Sequence, residues 1–158
     1  MAETLGSLID KMTIKDLREY HLQESLRLKT NKFPAADTRR MIALVQRQKK
    51  RMLREIETFI LAAAAGRVAL RDEKLKMYNA AADMNRIPQL ATVAEAISCL
   101  AQKNTELWHL EDQARRKDVT LAFIGSIKKK IDLANQQRND LIDRIDALLE
   151  ETLSKRRK

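Results

Sequence analysis

Pro34 and Pro88 are the only prolines in a chain of 158 residues, and three glycines are the only other strong breakers. Proline removes a backbone donor and disfavours helix in the residue before it. With so few of either, the chain is limited to a few long elements. Their type follows from the side chains. No stretch alternates apolar and polar residues with period two, whereas Leu, Ala, Lys, Glu and Arg dominate and apolar residues recur three, four and seven apart. The sequence therefore predicts an all-α fold.

The breaks define four long helices. The first runs from about Thr4 to Lys29, with Thr4 or Ser7 as its cap. "TNKFPAAD" separates it from the second, which Asp37 is expected to cap. This helix passes through Arg39, Met52 and Phe59 to "AAAAG", where Gly66 is either a stop or a kink. "RVALRDEKLKMYNAAAD" then reads as helix to about Asp83. "MNRIP" is the next break, with Pro88 suited to the first turn of a third helix that reaches about Arg116. Asp118 is the expected cap of the last helix, which runs to about Leu153. Short connections between long helices imply antiparallel neighbours, hence a bundle with coiled-coil-like seams. The expected organisation is one domain over 1–153 and a basic tail over 154–158.

The charge is uneven. "RRMIALVQRQKKRMLR" (Arg39 to Arg54) holds seven basic residues and no acid, and the final "KRRK" holds four more. Against a net charge of +9 that leaves the rest of the chain at −2. The basicity thus belongs to one helix and the tail. Arg47, Lys49, Lys50, Arg51 and Arg54 are the candidate contacts to an anionic surface or nucleic acid. The competing reading is a solvated helix face, because no aromatics are interleaved for base stacking. A single cysteine, Cys99, allows no internal disulfide and no zinc site alone, which fits a reducing, cytoplasmic compartment. "MAETLGSLIDKM" is not expected to be a signal peptide, and no run of about 18 apolar residues is present to span a membrane.

Residues on one helical face expose the unusual feature. On the last helix one row reads Ile124, Ile131, Arg138, Ile145, and its companion reads Ile127, Ala134, Leu141, Leu148. Arg138 thus takes a core slot, with Asn135 one turn earlier. The third helix reads Val93, Ile97, Leu100, Asn104, Leu107, Glu111, Ala114, with Trp108 and Arg115 beside the row. The first reads Asp10, Ile14, Leu17, His21, Glu24, Leu28. Antiparallel pairing about a turn near Lys117–Val119 sets Asn104, not Glu111, level with Arg138. A buried guanidinium needs a carboxylate, and Asp10 or Glu24 of the first helix is the expected source. The candidate polar layer comprises Asp10, His21, Glu24, Asn104, Trp108, Glu111, Asp112, Arg115, Asn135, Arg138 and Asn139. Single polar residues in seams commonly fix register. This many, from three helices, raises a second reading as a ligand-binding or catalytic layer.

No metal site is expected. Di-metal bundles use Glu-x-x-His, and here the order is reversed, as His21-x-x-Glu24 and His109-x-x-Asp112. His109 faces solvent, and His21 reads as a hydrogen-bonded core histidine. There is no glycine-rich phosphate loop, G-x-S-x-G or H-E-x-x-H. No cofactor is implied, and whether the chain is an enzyme stays open. Cys99 reads as a small core residue. A faint echo links "EYHLQESLR" (Glu19 to Arg27) with "LWHLEDQAR" (Leu107 to Arg115), by duplication of a helix or by chance.

The stretch "NTELWHLEDQARRKD…IKKKIDLANQQRNDLIDRID" resembles a bacterial family known as domain of unknown function forty-two fifty-four. The first block falls on Asn104, Leu107, Trp108, His109, Glu111, Asp112, Ala114 and Arg115. The second falls on Lys128 or Lys129, Ile131, Asp132, Asn135, Gln136, Arg138, Asn139, Asp140, Ile142, Ile145 and Asp146. Ala134 stands where the pattern leads one to expect Leu. The resemblance implies a bacterial cytoplasmic helical protein without an assigned activity. It also implies proximity to cell-envelope glycan assembly, hence an accessory of glycosyltransferases. The residue pattern leaves three functions to weigh. The first is a helical interaction or adaptor protein that binds a protein partner or itself. The second is an enzyme, or a sugar-phosphate or nucleotide binder, using the polar layer. The third is nucleic-acid binding through the basic second helix.

Overall fold

A computed structural model describes residues 3–30, 33–71 and 87–156. It contains four helices, α1 (Leu5–Leu28), α2 (Ala35–Ala64), α3 (Val93–Ala114) and α4 (Leu121–Arg156). No strand occurs among the described residues. The architecture is the helical bundle that the breaker pattern predicts.

Helix ends follow local hydrogen bonding. Thr4 caps α1, its hydroxyl accepting from the Ser7 N–H at 3.3 Å. The helix closes at Lys29 in the left-handed region, φ 53°. There the Lys29 and Thr30 N–H groups donate back to the Leu26 and Ser25 carbonyls. α2 closes the same way at Gly66, φ 70°. The Gly66 and Arg67 N–H groups donate to the Ala63 and Ala62 carbonyls at 3.0 and 2.9 Å. Gly66 is therefore a stop, with the two bonds of a Schellman end.

Several expected helix boundaries differ in the structure. Residues 67–71 are not helical, so the second helix does not resume there, and residues 72–86 lie outside the described residues. Asp37 is not the α2 cap. That position is Pro34, without a side-chain cap bond, and Asp37 lies in the first turn, 3.3 Å from Arg40. Pro88 precedes α3, which starts instead at a capping box. The Thr92 hydroxyl accepts from the Glu95 N–H, and the Glu95 carboxylate accepts from the Thr92 N–H. Nor does Asp118 cap α4. Thr120 accepts from the Phe123 N–H at 3.2 Å, while Asp118 pairs with Arg116, which holds its carboxyl down at about 2. α4 continues to Arg156, into the expected tail.

Contacts fix the directions. Gly6 meets Asp146 and Asp10 meets Arg138, so α1 and α4 are antiparallel. Lys15 meets Gln48 and Glu19 meets Gln46, so α1 and α2 are antiparallel as well. α3 and α4 pair most extensively, α1 lies on both, and α2 packs mainly on α1.

The core is in two parts. The lower cluster draws on all four helices. It includes Leu5 and Leu8 of α1, Phe59 and Ala63 of α2, Ala96 and Leu100 of α3, and Leu141 to Leu148 of α4. The upper cluster consists of Leu107 and Leu110 of α3 with Ile127, Ile131 and Ala134 of α4. Asn104 and Arg138 fall between them in sequence on their own helices. The polar interruption of the seams therefore marks the level where a shared core gives way to a two-helix hairpin.

Candidate functional site

Gly6 makes the first approach possible. A Cβ there would stand 2.3 Å from the Ile142 carbonyl oxygen, a backbone atom. Only glycine lets α1 and α4 come this close. The crossing also aligns the start of α1 with a carboxylate, since Asp146, itself buried, accepts from the Gly6 N–H at 2.7 Å. This satisfies one of the unpaired donors of the helix start, at its positive end.

One turn further along α1, Asp10 is almost enclosed, its side chain 5% exposed, and Arg138 opposite is 28% exposed. Arg138 Nε donates to Asp10 Oδ1 at 2.7 Å and its Nη2 donates to Oδ2, a side-on bidentate pair. Asn104 Nδ2 donates to the same Oδ1 at 2.9 Å and to Thr13 Oγ1 at 2.7 Å. The Asp10 bond raises the guanidinium above its usual pKa, against the cost of burial. Three helices thus share one carboxylate. Asn104 lies level with Arg138, and of the two carboxylates that α1 offered, Asp10 and not Glu24 takes the guanidinium.

Above this layer α1 continues along α3, while the upper cluster is built from α3 and α4 without it. A cleft of about 290 Å³ opens in the angle. Ile14 and Leu17 of α1 form one wall, Leu107 and Trp108 of α3 lie along it, and Asn135 and Arg138 of α4 face them. Glu111 and Arg115 stand at its rim. Asn135 is half-buried, and its side chain hydrogen-bonds no other described residue.

Trp108 is fixed from behind. Its ring stacks on His21 with centroids 4.6 Å apart and planes 6° apart. His21 in turn lies 3.5 Å from Glu24 and edge-on to Tyr20 and His109. The histidine expected to be a hydrogen-bonded core residue is therefore a stacking partner.

The eleven residues of the expected layer separate into groups. Asp10, Asn104 and Arg138 form the deep cluster, with Thr13 as a member the sequence reading missed. Trp108, Asn135, Glu111 and Arg115 border the cleft with Asn104 and Arg138. His21 and Glu24 form the backing of Trp108. Glu111 is not in a core slot. It is exposed, 3.8 Å from Arg115, which also pairs with Asp112 at 3.0 Å. Asn139 is exposed and outside the cleft lining. Among the described residues no three His, Cys, Asp or Glu come together as metal ligands, and no helix is long and apolar enough to cross a membrane.

The basic residues of α2 also separate. Lys49 is turned inward, 2.6 Å from both Asp16 and Glu19, so it is no outward contact. Burial opposes its charge, but the two carboxylates outweigh that and raise its pKa. Arg51 lies 3.8 Å from Glu55. Arg47, Lys50 and Arg54 are exposed and pair with no other described residue.

The fold and the cleft thus define an all-helical bundle whose three main helices meet at one buried ion pair. Part of it is similar to a known family, over less than half of the chain. Residues 94–158 match the family described as "Protein of unknown function (DUF4254)". The matched segment contains Asn104, Trp108, Asn135, Arg138 and Asp146, while Asp10 and Gly6 lie outside it. No curated protein and no solved structure matches the chain.

Proposed function

We propose that the protein is a ligand-binding helical bundle that takes a compact polar molecule in the cleft between α1, α3 and α4. The observation that carries this reading is the state of Arg138. Asp10 engages its Nε and Nη2 side, which fixes and neutralises the guanidinium. Its remaining donors, and the Asn135 amide with no described partner, border an open cleft beside an immobilised indole. Preorganised donors beside an apolar surface suit a ligand with clustered hydroxyl, carbonyl or phosphate oxygens and one apolar face. The pairs Asp10–Arg138 and Glu111–Arg115 are each internally balanced, so affinity rests on hydrogen bonds and stacking rather than on a charged field. Binding is favoured over catalysis because Asp10, the buried carboxylate beside Arg138, already accepts from Arg138 and Asn104. In this reading the chain serves as an accessory of glycan-assembling enzymes in a bacterial cytoplasm, as the family resemblance implies.

The test is a thermal-shift screen of sugars, sugar phosphates, nucleotides and sugar nucleotides on the wild type and Asn135→Leu. At a hundredfold excess over Kd a ligand stabilises by about 2.7 kcal/mol. For a chain of this size that raises Tm by roughly 5–10 °C. At least one compound should do so for the wild type and not for the variant. A panel that moves neither protein argues against the reading.

A further inference from the structure

The cleft between α1, α3 and α4 presents a buried acceptor and a cationic donor side by side. Asn104 Nδ2 donates to Asp10 Oδ1 at 2.9 Å and to Thr13 Oγ1 at 2.7 Å. The Thr13 hydroxyl passes its own hydrogen to the Asp10 carbonyl at 2.9 Å. Both amide hydrogens of Asn104 are thus spent on α1, which fixes the orientation of the amide. Its carbonyl Oδ1 accepts from no other described residue, although Asn104 is only 4% exposed and lines the cleft. A buried acceptor of this kind calls for a donor. Arg138 donates to the same Asp10 Oδ1, so it stands beside Asn104. Of the five N–H donors of a guanidinium, Asp10 takes two. Nη1 and the second hydrogen of Nη2 stay available to the cleft. The Asn135 side chain, with no described partner, adds one group that both donates and accepts.

We propose, on the reading of the cleft as a ligand site, that it recognises a vicinal diol on a neutral ring rather than a phosphate or a carboxylate. A hydroxyl both donates and accepts. One hydroxyl of the pair accepts from Arg138 and donates to Asn104 Oδ1, and its neighbour pairs with the Asn135 side chain. The C–H face of the ring lies against the apolar wall of Leu17, Leu107 and Trp108. A carboxylate or a fully ionised phosphate only accepts. Either would use Arg138 but leave the buried Asn104 carbonyl unmet, which is costly. Charge does not compensate them. Arg138 and Arg115 are set against Asp10, Glu111 and Asp112, with no cationic excess. An ammonium only donates and would face the guanidinium. A carboxamide supplies one donor–acceptor pair and leaves Asn135 without a partner. Vicinal diols occur on pyranosides and on the ribose of nucleosides, and the chemistry beside Arg138 is the same for both.

The experiment titrates the full chain with neutral methyl hexopyranosides and ribonucleosides, and with the deoxy, phosphate and, for the pyranosides, uronate counterparts of each. Calorimetry gives the affinity, and Trp108 emission places the ligand at the cleft. Wild type and Asn135→Leu are compared, after circular-dichroism melts establish that the variant folds. A neutral pyranoside or ribonucleoside should bind the wild type saturably, and the tighter class identifies the source of the diol. Removing either hydroxyl of the recognised pair should weaken binding at least tenfold, and phosphorylating either should weaken it as much. Affinity for the neutral ligand should change less than about twofold as salt is raised, since no ion pair with the ligand is there to be screened. A phosphate or uronate that binds more tightly than its neutral parent, alters Trp108 emission and is lost in Asn135→Leu overturns the proposal while leaving the cleft a ligand site. A deoxy series as tight as its parents overturns it in the same way. If no compound, neutral or charged, gives a response that Asn135→Leu removes, the reading of the cleft fails and the diol with it. The comparisons among ligands are made on the wild type, so they decide the question even if Asn135→Leu does not fold.

Discussion

Replacing Arg138 by Leu strips the buried Asp10 carboxylate of its cation and leaves it one amide, that of Asn104. Asp10 is 5% exposed and Arg138 28%, so water can recover little of the loss from the carboxylate side and some from the arginine side. Breaking a fully buried pair costs about 3–5 kcal/mol, and the partial exposure of Arg138 lowers this to about 2–4 kcal/mol. For a chain of this size the melting temperature should fall by roughly 5–15 °C. The cause is the orphaned carboxylate, so removing it as well should restore most of the loss. Urea unfolding of the wild type, Asp10→Leu, Arg138→Leu and the double variant closes a cycle. The double variant should lie within about 1 kcal/mol of the wild type, with a coupling energy of about 2 kcal/mol or more. An Arg138→Leu protein within about 0.5 kcal/mol of the wild type, or additive single changes, would refute the claim that one carboxylate joins three helices.

Gly6→Ala should destabilise by about 1–3 kcal/mol, because the new methyl meets a backbone carbonyl that no rotamer can move aside; an unchanged denaturant midpoint would contradict the close approach. Lys29 holds a left-handed conformation, φ 53°, so Lys29→Gly should stabilise by about 0.5–1 kcal/mol, readable as a rise in Tm. Glu19 has its pKa lowered by Lys49 and then by Gln46, below the ordinary 4.5. A depressed carboxylate stabilises above its unfolded pKa and loses that contribution as pH falls through the folded value. Wild type should therefore exceed Glu19→Gln in stability near neutrality, and the difference should disappear on acidification below about pH 4. A difference independent of pH would mean that the α1–α2 pair is not electrostatic.

Much of this molecule was legible from two patterns. Scarce breakers counted the helices, and seven-residue rows located Asn104 and Arg138 at one level. The rows failed at Glu111 for a physical reason. They assume a partner helix along the whole seam, but α1 leaves α4 above Asp10, so Glu111 faces a cleft rim instead of a core. Helix starts failed where two local signals competed. The T-x-x-E of Thr92 and Glu95 offers two capping bonds and outweighs the bare preference of Pro88 for a first turn. Asp118 yields to Thr120 because Arg116 engages its carboxylate. The roles of Gly6 and Asp146 had no local signal. An N–H and a carboxylate 140 residues apart become partners only through the crossing of α1 and α4. Thr13 was hidden for the same reason, since its hydroxyl matters only once Asn104 stands beside it.

Trp108 is the only tryptophan in the chain, so intrinsic emission reports directly on the cleft wall. The decisive measurement is a fluorescence titration of the wild type and Asn135→Leu across the sugar, sugar-phosphate and nucleotide panel. A cleft ligand should change Trp108 emission saturably, with a midpoint matching its thermal stabilisation. Asn135→Leu, folded as the wild type, should lose both responses. A compound that stabilises the protein yet leaves the indole emission unchanged binds elsewhere. That result, or an emission spectrum that no compound alters, would contradict the assignment of the cleft as the binding site.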